Sequence, residues 1–122
     1  MALNTIWHNP RCAKSRTALK LLNDWSIDAR VFYYLNEIVN YEDLMSIVKK
    51  LSIPTIELVR TNEKIFRALG LSRSSKDEIL IQAMLQNPIL IERPLVISGE
   101  RAVIGRPPER VLELFNLSLI HI

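Results

Sequence analysis

The sequence predicts an α/β domain, a small mixed four-stranded sheet flanked by helices and carrying a helical insertion at about residues 41–87. Three observations predict it. A strand–helix–strand pattern opens the chain, a run of amphipathic helices follows, and two short apolar strands separated by Gly99-Glu100 precede a last helix. With 122 residues, one domain (1–116) has enough length to bury a core without staples.

Leu3 to Trp7 is short, apolar and bounded by Asn9-Pro10, which marks a buried strand. Cys12 to Trp25 follows as a helix with Ala18, Leu21, Leu22 and Trp25 on one face, capped by Asn9 or by Cys12 itself. Arg30 to Leu35 has strand composition and completes a parallel strand–helix–strand unit. A second helix starts at Asn40 or Tyr41, with Glu42 and Asp43 in its first turn and Lys49-Lys50 in its last, as the helix dipole favours. Its buried stripe is Leu44, Ile47, Val48 and Leu51, and Ser52-Ile53-Pro54 ends it. One helical turn at Ile56 to Val59 and a short helix from Asn62 or Glu63 to Leu69, stopped by Gly70, come next. Ser74 or Ser75 is expected to cap Lys76 to Gln86, whose apolar face reads as Ile79, Ile81, Ala83, Met84 and Leu85. Leu95–Ser98 and Arg101–Ile104 form a hairpin, and Gly105-Arg106-Pro107-Pro108 turns the chain into a final helix, Glu109 to Phe115.

The only cysteine, Cys12, stands where the first strand gives way to the first helix. Helix N-termini carry partial positive charge and unpaired N–H groups, and a thiol there is pushed from about 8.5 into a range of roughly 3.5–7.5. Arg11, Lys14 and Arg16 surround it, His8 lies four residues upstream, and no Asp or Glu occurs before Asp24. The stretch describes an activated nucleophile in an anion-attracting setting. Arg60, Arg93 and Arg106 each fall at an element boundary, and arginine offers a planar fork of donors suited to oxyanions.

Composition narrows the classes. One cysteine excludes an internal disulfide framework and a multi-thiolate metal site, and no metal is expected. No apolar run reaches membrane-spanning length and no signal-peptide pattern opens the chain, so no membrane partner is expected and the location is expected to be cytoplasmic. The net charge of +3 is spread as isolated arginines rather than a dense stripe, which argues against nucleic acid and for small oxyanions or an anionic thiol.

His8-Asn9-Pro10-Arg11-Cys12-Ala13-Lys14-Ser15-Arg16 resembles the active-site segment of the glutaredoxin-dependent arsenate reductase family. Glu92-Arg93-Pro94-Leu95-Val96 and Ile104-Gly105-Arg106-Pro107-Pro108-Glu109 resemble its second and third motifs, and the likeness runs from Asn4 to Phe115. The resemblance implies a thioredoxin-like fold with a cis proline at Pro94 beside the sulfur. It implies attack of Cys12 on arsenate with help from His8, and Arg60, Arg93 and Arg106 as oxyanion ligands. Asn9, Ser15, Arg16 and Pro94 would support the site. No cofactor is expected to be bound: glutathione would act as co-substrate and glutaredoxin would resolve the resulting disulfide. Two rivals stay open, a general glutathione-dependent thiol reductase and a regulator resembling the Spx proteins that bind RNA polymerase. Against the second, Ser15 stands where those proteins commonly carry the second cysteine of a redox switch. Finally, Leu117 to Ile122 reads as one frame of a sequencing-library adapter rather than native sequence, which would truncate the last helix after Asn116.

Overall fold

A computed structural model describes residues 4–115, which divide into two compact units. One contains the chain up to Glu37 together with the stretch from Arg93 onward; the other is Ile38–Glu92. The tail at 117–122, and with it the adapter reading, lies outside the described residues.

The first unit holds the sheet, ordered β2-β1-β3-β4. Strand β1 (Asn4–Trp7) pairs in parallel with β2 (Arg30–Phe32), in the register Ile6 to Val31, and antiparallel with β3 (Leu95–Ser98), in the register Ile6 to Val96. Strands β3 and β4 (Arg101–Ile104) form the expected hairpin. Gly99 takes φ +58° at its first turn position, where a residue with a Cβ is strained. Helix α1 (Ala13–Asp24) and a 3-10 helix (Pro108–Phe115) pack against one another and close a core around Ile6, Ala18, Leu22, Val96, Val103 and Val111. Burying each of the Val, Leu and Ile side chains among them contributes about 1.5–3 kcal/mol.

Three readings of this unit change in detail. The second strand stops at Phe32 because the Glu37 carboxylate accepts the Tyr33 N–H (3.1 Å) and Asn36 N–H donates to the Tyr33 carbonyl (2.9 Å), turning the chain. Trp25, expected on the buried stripe, is the C-terminal cap residue of α1 and is 37% exposed. The final helix has 3-10 geometry and begins at Pro108, the tighter winding that often ends or joins helices.

The second unit is helical. Helix α2 (Tyr41–Leu51) starts where Asn40 Oδ1 accepts the Asp43 N–H at 2.8 Å and ends at Ser52 in the left-handed region. A 3-10 turn (Thr55–Leu58), the short α3 (Lys64–Ala68), α4 (Asp77–Gln86) and a second 3-10 turn (Pro88–Leu90) follow, with α4 packed on α2 and on both turns. Val59 and Ile91 form an isolated antiparallel bridge, flanked by Arg60 N–H to the Leu90 carbonyl (2.7 Å) and Glu92 N–H to the Leu58 carbonyl (2.8 Å).

Two expectations for α4 are corrected. Neither Ser74 nor Ser75 caps it: Ser75 Oγ accepts the Ser72 N–H, Ser72 Oγ bonds Ser74 Oγ, and Lys76 is the cap residue. The serine hydroxyls are consumed inside their own turn, a competition that short polar side chains commonly win. The helix is also rotated: Leu80 is buried (1% exposed) in place of Ile79, which is 51% exposed. Three consecutive apolar residues, Ile79, Leu80 and Ile81, left the inward face underdetermined by spacing alone.

Candidate active site

The site is built in the sheet unit from the turn that joins β1 to α1. His8 N–H donates to the Phe32 carbonyl (2.9 Å), extending the parallel pairing one residue past Trp7. Pro10 then forces a turn, closed by Cys12 N–H to the Asn9 carbonyl (3.0 Å) and by Arg11 N–H to Asn9 Oδ1 (3.0 Å). Cys12 is therefore the N-terminal cap residue of α1, with extended φ −96° and ψ 121°. No side chain caps the helix, so its first N–H groups are left to act on the sulfur.

Burial pushes the Cys12 thiol up, but the Ser15 N–H, the hydrogen bond and charge of Arg93, and the Lys14 N–H together bring it below its ordinary value. Arg93 comes from the residue before β3, and its Nε and Nη1 are buried with no hydrogen-bond partner. Unpartnered buried donors cost about 1–3 kcal/mol each, so an acceptor placed there is strongly favoured. A half-buried thiol of lowered pKa beside two orphaned guanidinium donors can hold and attack an anion that brings oxygen acceptors.

Arg106 grips the same segment from the far end of β4. Its Nη1 donates to the Arg93 carbonyl (3.0 Å), while Gly105 N–H donates to the Pro94 carbonyl (2.8 Å). The Arg93–Pro94 bond is cis, as is Arg106–Pro107. A Cβ on Gly105 would lie 2.8 Å from Pro94 Cγ and 2.9 Å from Val111 Cγ1, so only glycine lets the two loops approach.

His8 and Ser15 are both buried and joined, Nδ1 to Oγ, at 2.7 Å. The Asn9 N–H also donates to Ser15 Oγ (3.0 Å), so the hydroxyl is held from two sides. Burial lowers the His8 pKa, and the Arg16 charge lowers it further. His8 is thus held toward its neutral form and positions Ser15, whose own N–H acts on the thiol. Arg16 in turn bonds the Pro10 carbonyl through Nη1 (2.8 Å), bracing the turn.

Of the residues singled out in the sequence, the sheet unit brings together Cys12, His8, Asn9, Ser15, Arg16, Arg93, Pro94 and Arg106 in this bonded network. Arg60 belongs to the helical unit, where its Nε meets Glu63 Oε2 and its Nη1 meets Glu92 Oε1, both at 3.1 Å. Its charge is met by two half-buried carboxylates. Two features escaped the sequence reading. One is the contact of Gly105 with Pro94, whose only signal was the glycine preceding Arg106. The other is a pocket of about 250 Å3, with His8, Asn9, Pro10 and Arg11 on one side and Tyr33, Leu35 and Asn36 on the other. Nothing in local spacing announces the second wall, which arrives from the end of β2.

Among the described residues no group of three or more His, Cys, Asp or Glu side chains converges on a possible metal position. No helix among them is long and apolar enough to cross a membrane.

Residues 7–114, which span the whole of this network, match the ArsC family. The chain belongs to that family. This ArsC chain is 44% identical over 111 residues to the uncharacterized protein YfgD of Escherichia coli, covering 89% of this chain and 93% of the relative. It is 40% identical over 111 residues to an arsenate reductase of Haemophilus influenzae, covering 89% and 96%. The solved arsenate reductase of Vibrio cholerae superposes with a TM-score of 0.86 at 38% identity, covering 90% of this chain and 95% of that one. The thioredoxin-like α/β architecture of ArsC proteins is the architecture of this chain.

Proposed function

We propose that this ArsC chain reduces arsenate to arsenite through a covalent adduct on Cys12, with glutathione as co-substrate and glutaredoxin as the resolving protein in the cytoplasm. The observation that carries the reading is Arg93: two buried guanidinium nitrogens without an acceptor, beside a thiol held below its ordinary pKa. Arsenate near neutral pH is an anion that repels a thiolate. Fixed donors aimed at its oxygens remove that obstacle without reorganisation during reaction.

In the first step the Cys12 thiolate attacks arsenic, the S–As bond forms, and one oxygen leaves as water after taking up protons. Glutathione thiolate then attacks Cys12 Sγ, and the S–As electron pair passes to arsenic, which departs as arsenite, reduced by two electrons. The glutathione–Cys12 disulfide is finally opened by the glutaredoxin thiolate, which returns the Cys12 thiolate and carries glutathione away as a mixed disulfide. Arg93 holds the oxygens, Arg106 fixes the Arg93 carbonyl and adds charge, and His8 orients Ser15 behind the sulfur. The family resemblance gives Arg60 to the oxyanion too, but its charge is already met by Glu63 and Glu92, so the reading rests on Arg93 and Arg106.

Arsenate-dependent NADPH oxidation, with glutathione, glutaredoxin and glutathione reductase supplied, tests this. Turnover is expected for the wild type and none for Cys12→Ser. A Cys12 that accepts glutathione readily but shows no arsenate-dependent turnover would replace the proposal with a general thiol reductase.

A further inference from the structure

The proposed chemistry consumes a second thiol, and the chain has only Cys12, so a surface of the protein must deliver that thiol to the sulfur. We infer that the pocket between the Asn9-Pro10-Arg11 turn and the Tyr33–Asn36 turn is the docking subsite for a carboxylate-bearing arm of a small anionic thiol peptide of the glutathione class. The inference rests on the function proposed above and places its co-substrate.

Position favours it. Arg11 is bonded to Cys12, with Cα atoms about 3.8 Å apart, and an extended tripeptide spans about 10 Å, so a peptide anchored at Arg11 has reach to spare. Size favours a small molecule: at about 250 Å3 the pocket is smaller than the roughly 300–1,000 Å3 of sites that enclose a whole ligand, and takes an arm of a tripeptide, not a protein segment. Charge selects the arm. The Arg11 backbone is fixed by Asn9 Oδ1, while its guanidinium makes no ion pair among the described residues. No lining residue is acidic, and the neighbouring Glu37 carboxylate is turned to the Tyr33 N–H. A cation and the Asn36 amide on an acid-free wall suit a carboxylate. Tyr33 and Leu35, 42% and 39% exposed, supply apolar surface for the methylenes of such an arm.

Arg11→Gln and the double variant Arg11→Gln/Asn36→Ala, assayed as purified full-length protein, test the inference in two ways. In arsenate turnover, the glutathione KM is expected to rise about tenfold with Arg11→Gln, the size of one charge-assisted hydrogen bond, while the arsenate KM stays fixed. Separately, Cys12 is glutathionylated by glutathione disulfide: the Cys12 thiolate attacks one sulfur, the S–S bond breaks, and one glutathione thiolate leaves. That rate, read by mass increase, should fall by the same factor, whereas alkylation by uncharged iodoacetamide should not change. An unchanged glutathione KM and glutathionylation rate overturn the pocket assignment and leave the arsenate reading intact. Slower glutathionylation with no arsenate turnover in any variant upholds the subsite and overturns the arsenate reading instead. Loss of iodoacetamide reactivity in step with glutathionylation overturns the assignment, since it would mean the nucleophile itself was disturbed.

Discussion

Opposing contributions fall on the Cys12 sulfur: burial raises its pKa, while the Ser15 N–H, the Arg93 guanidinium and the Lys14 N–H bring it below its ordinary value. Removing that guanidinium leaves the burial that raises the thiol pKa and subtracts the strongest charge that lowers it. Arg93→Gln is therefore expected to shift the pH midpoint of Cys12 alkylation upward, toward the free value of about 8.5, and to lower arsenate kcat/KM by roughly 10²–10³. A midpoint equal to that of the wild type would show that the helix N-terminus alone activates the thiol. His8 gives a second prediction, in stability. Its folded pKa lies below 6.5, so the folded state resists a proton that the unfolded chain accepts. The resulting stability is complete above about pH 6.5 and is lost as pH falls through the folded value. The melting temperature of the wild type should drop more steeply below pH 6.5 than that of His8→Gln, and parallel curves would contradict the assignment of a neutral buried imidazole.

At the level of elements, the approach of the Gly105 loop to Pro94 is set by a missing side chain. Gly105→Ala places a carbon within 3 Å of Pro94 Cγ and Val111 Cγ1, and both residues are buried, so the Gly105 loop and the Pro94 segment must move apart. Because Pro94 follows Arg93, activity should fall further than the melting temperature, and a variant that melts early yet turns over normally would refute the coupling. Helix α4 tests its own rotation: Leu80→Ala should cost about 2–5 kcal/mol, while Ile79→Ser should stay within roughly 0.5 kcal/mol. The contrast also shows what sequence could and could not tell. Elements closed by local chemistry were legible: Asn40 at the start of α2, Gly99 in the hairpin, and the strand-to-helix step that puts Cys12 at a helix N-terminus. The face of α4 was not, since the three apolar residues in succession at 79–81 carry no phase. The site divided the same way. The setting of the cysteine could be read from the nine residues His8 to Arg16, but the orphaned donors of Arg93 depend on β3 returning antiparallel beside β1, and the pocket depends on where β2 stops.

The whole molecule carries one thiol, and that count constrains its chemistry more than any single contact. Reduction of As(V) to As(III) takes two electrons, and oxidising thiols to a disulfide supplies two, so one cysteine can form an adduct but cannot complete the reaction within its own chain. The missing thiol comes from a small molecule or from Cys12 of a second copy. The half-buried state of Cys12 and the small pocket beside it favour the small molecule. Fully reduced protein mixed with arsenate in the absence of any other thiol is expected to release no arsenite and to stay monomeric on non-reducing gels. Adding glutathione should then release one arsenite per chain and leave Cys12 about 305 Da heavier, the mass of one glutathionyl group gained with loss of a hydrogen, since thiol attack on the sulfur leaves a mixed disulfide. Arsenite at half an equivalent without added thiol, together with a disulfide-linked dimer, would instead make a second copy the electron donor, and the pocket would lose its chemical purpose.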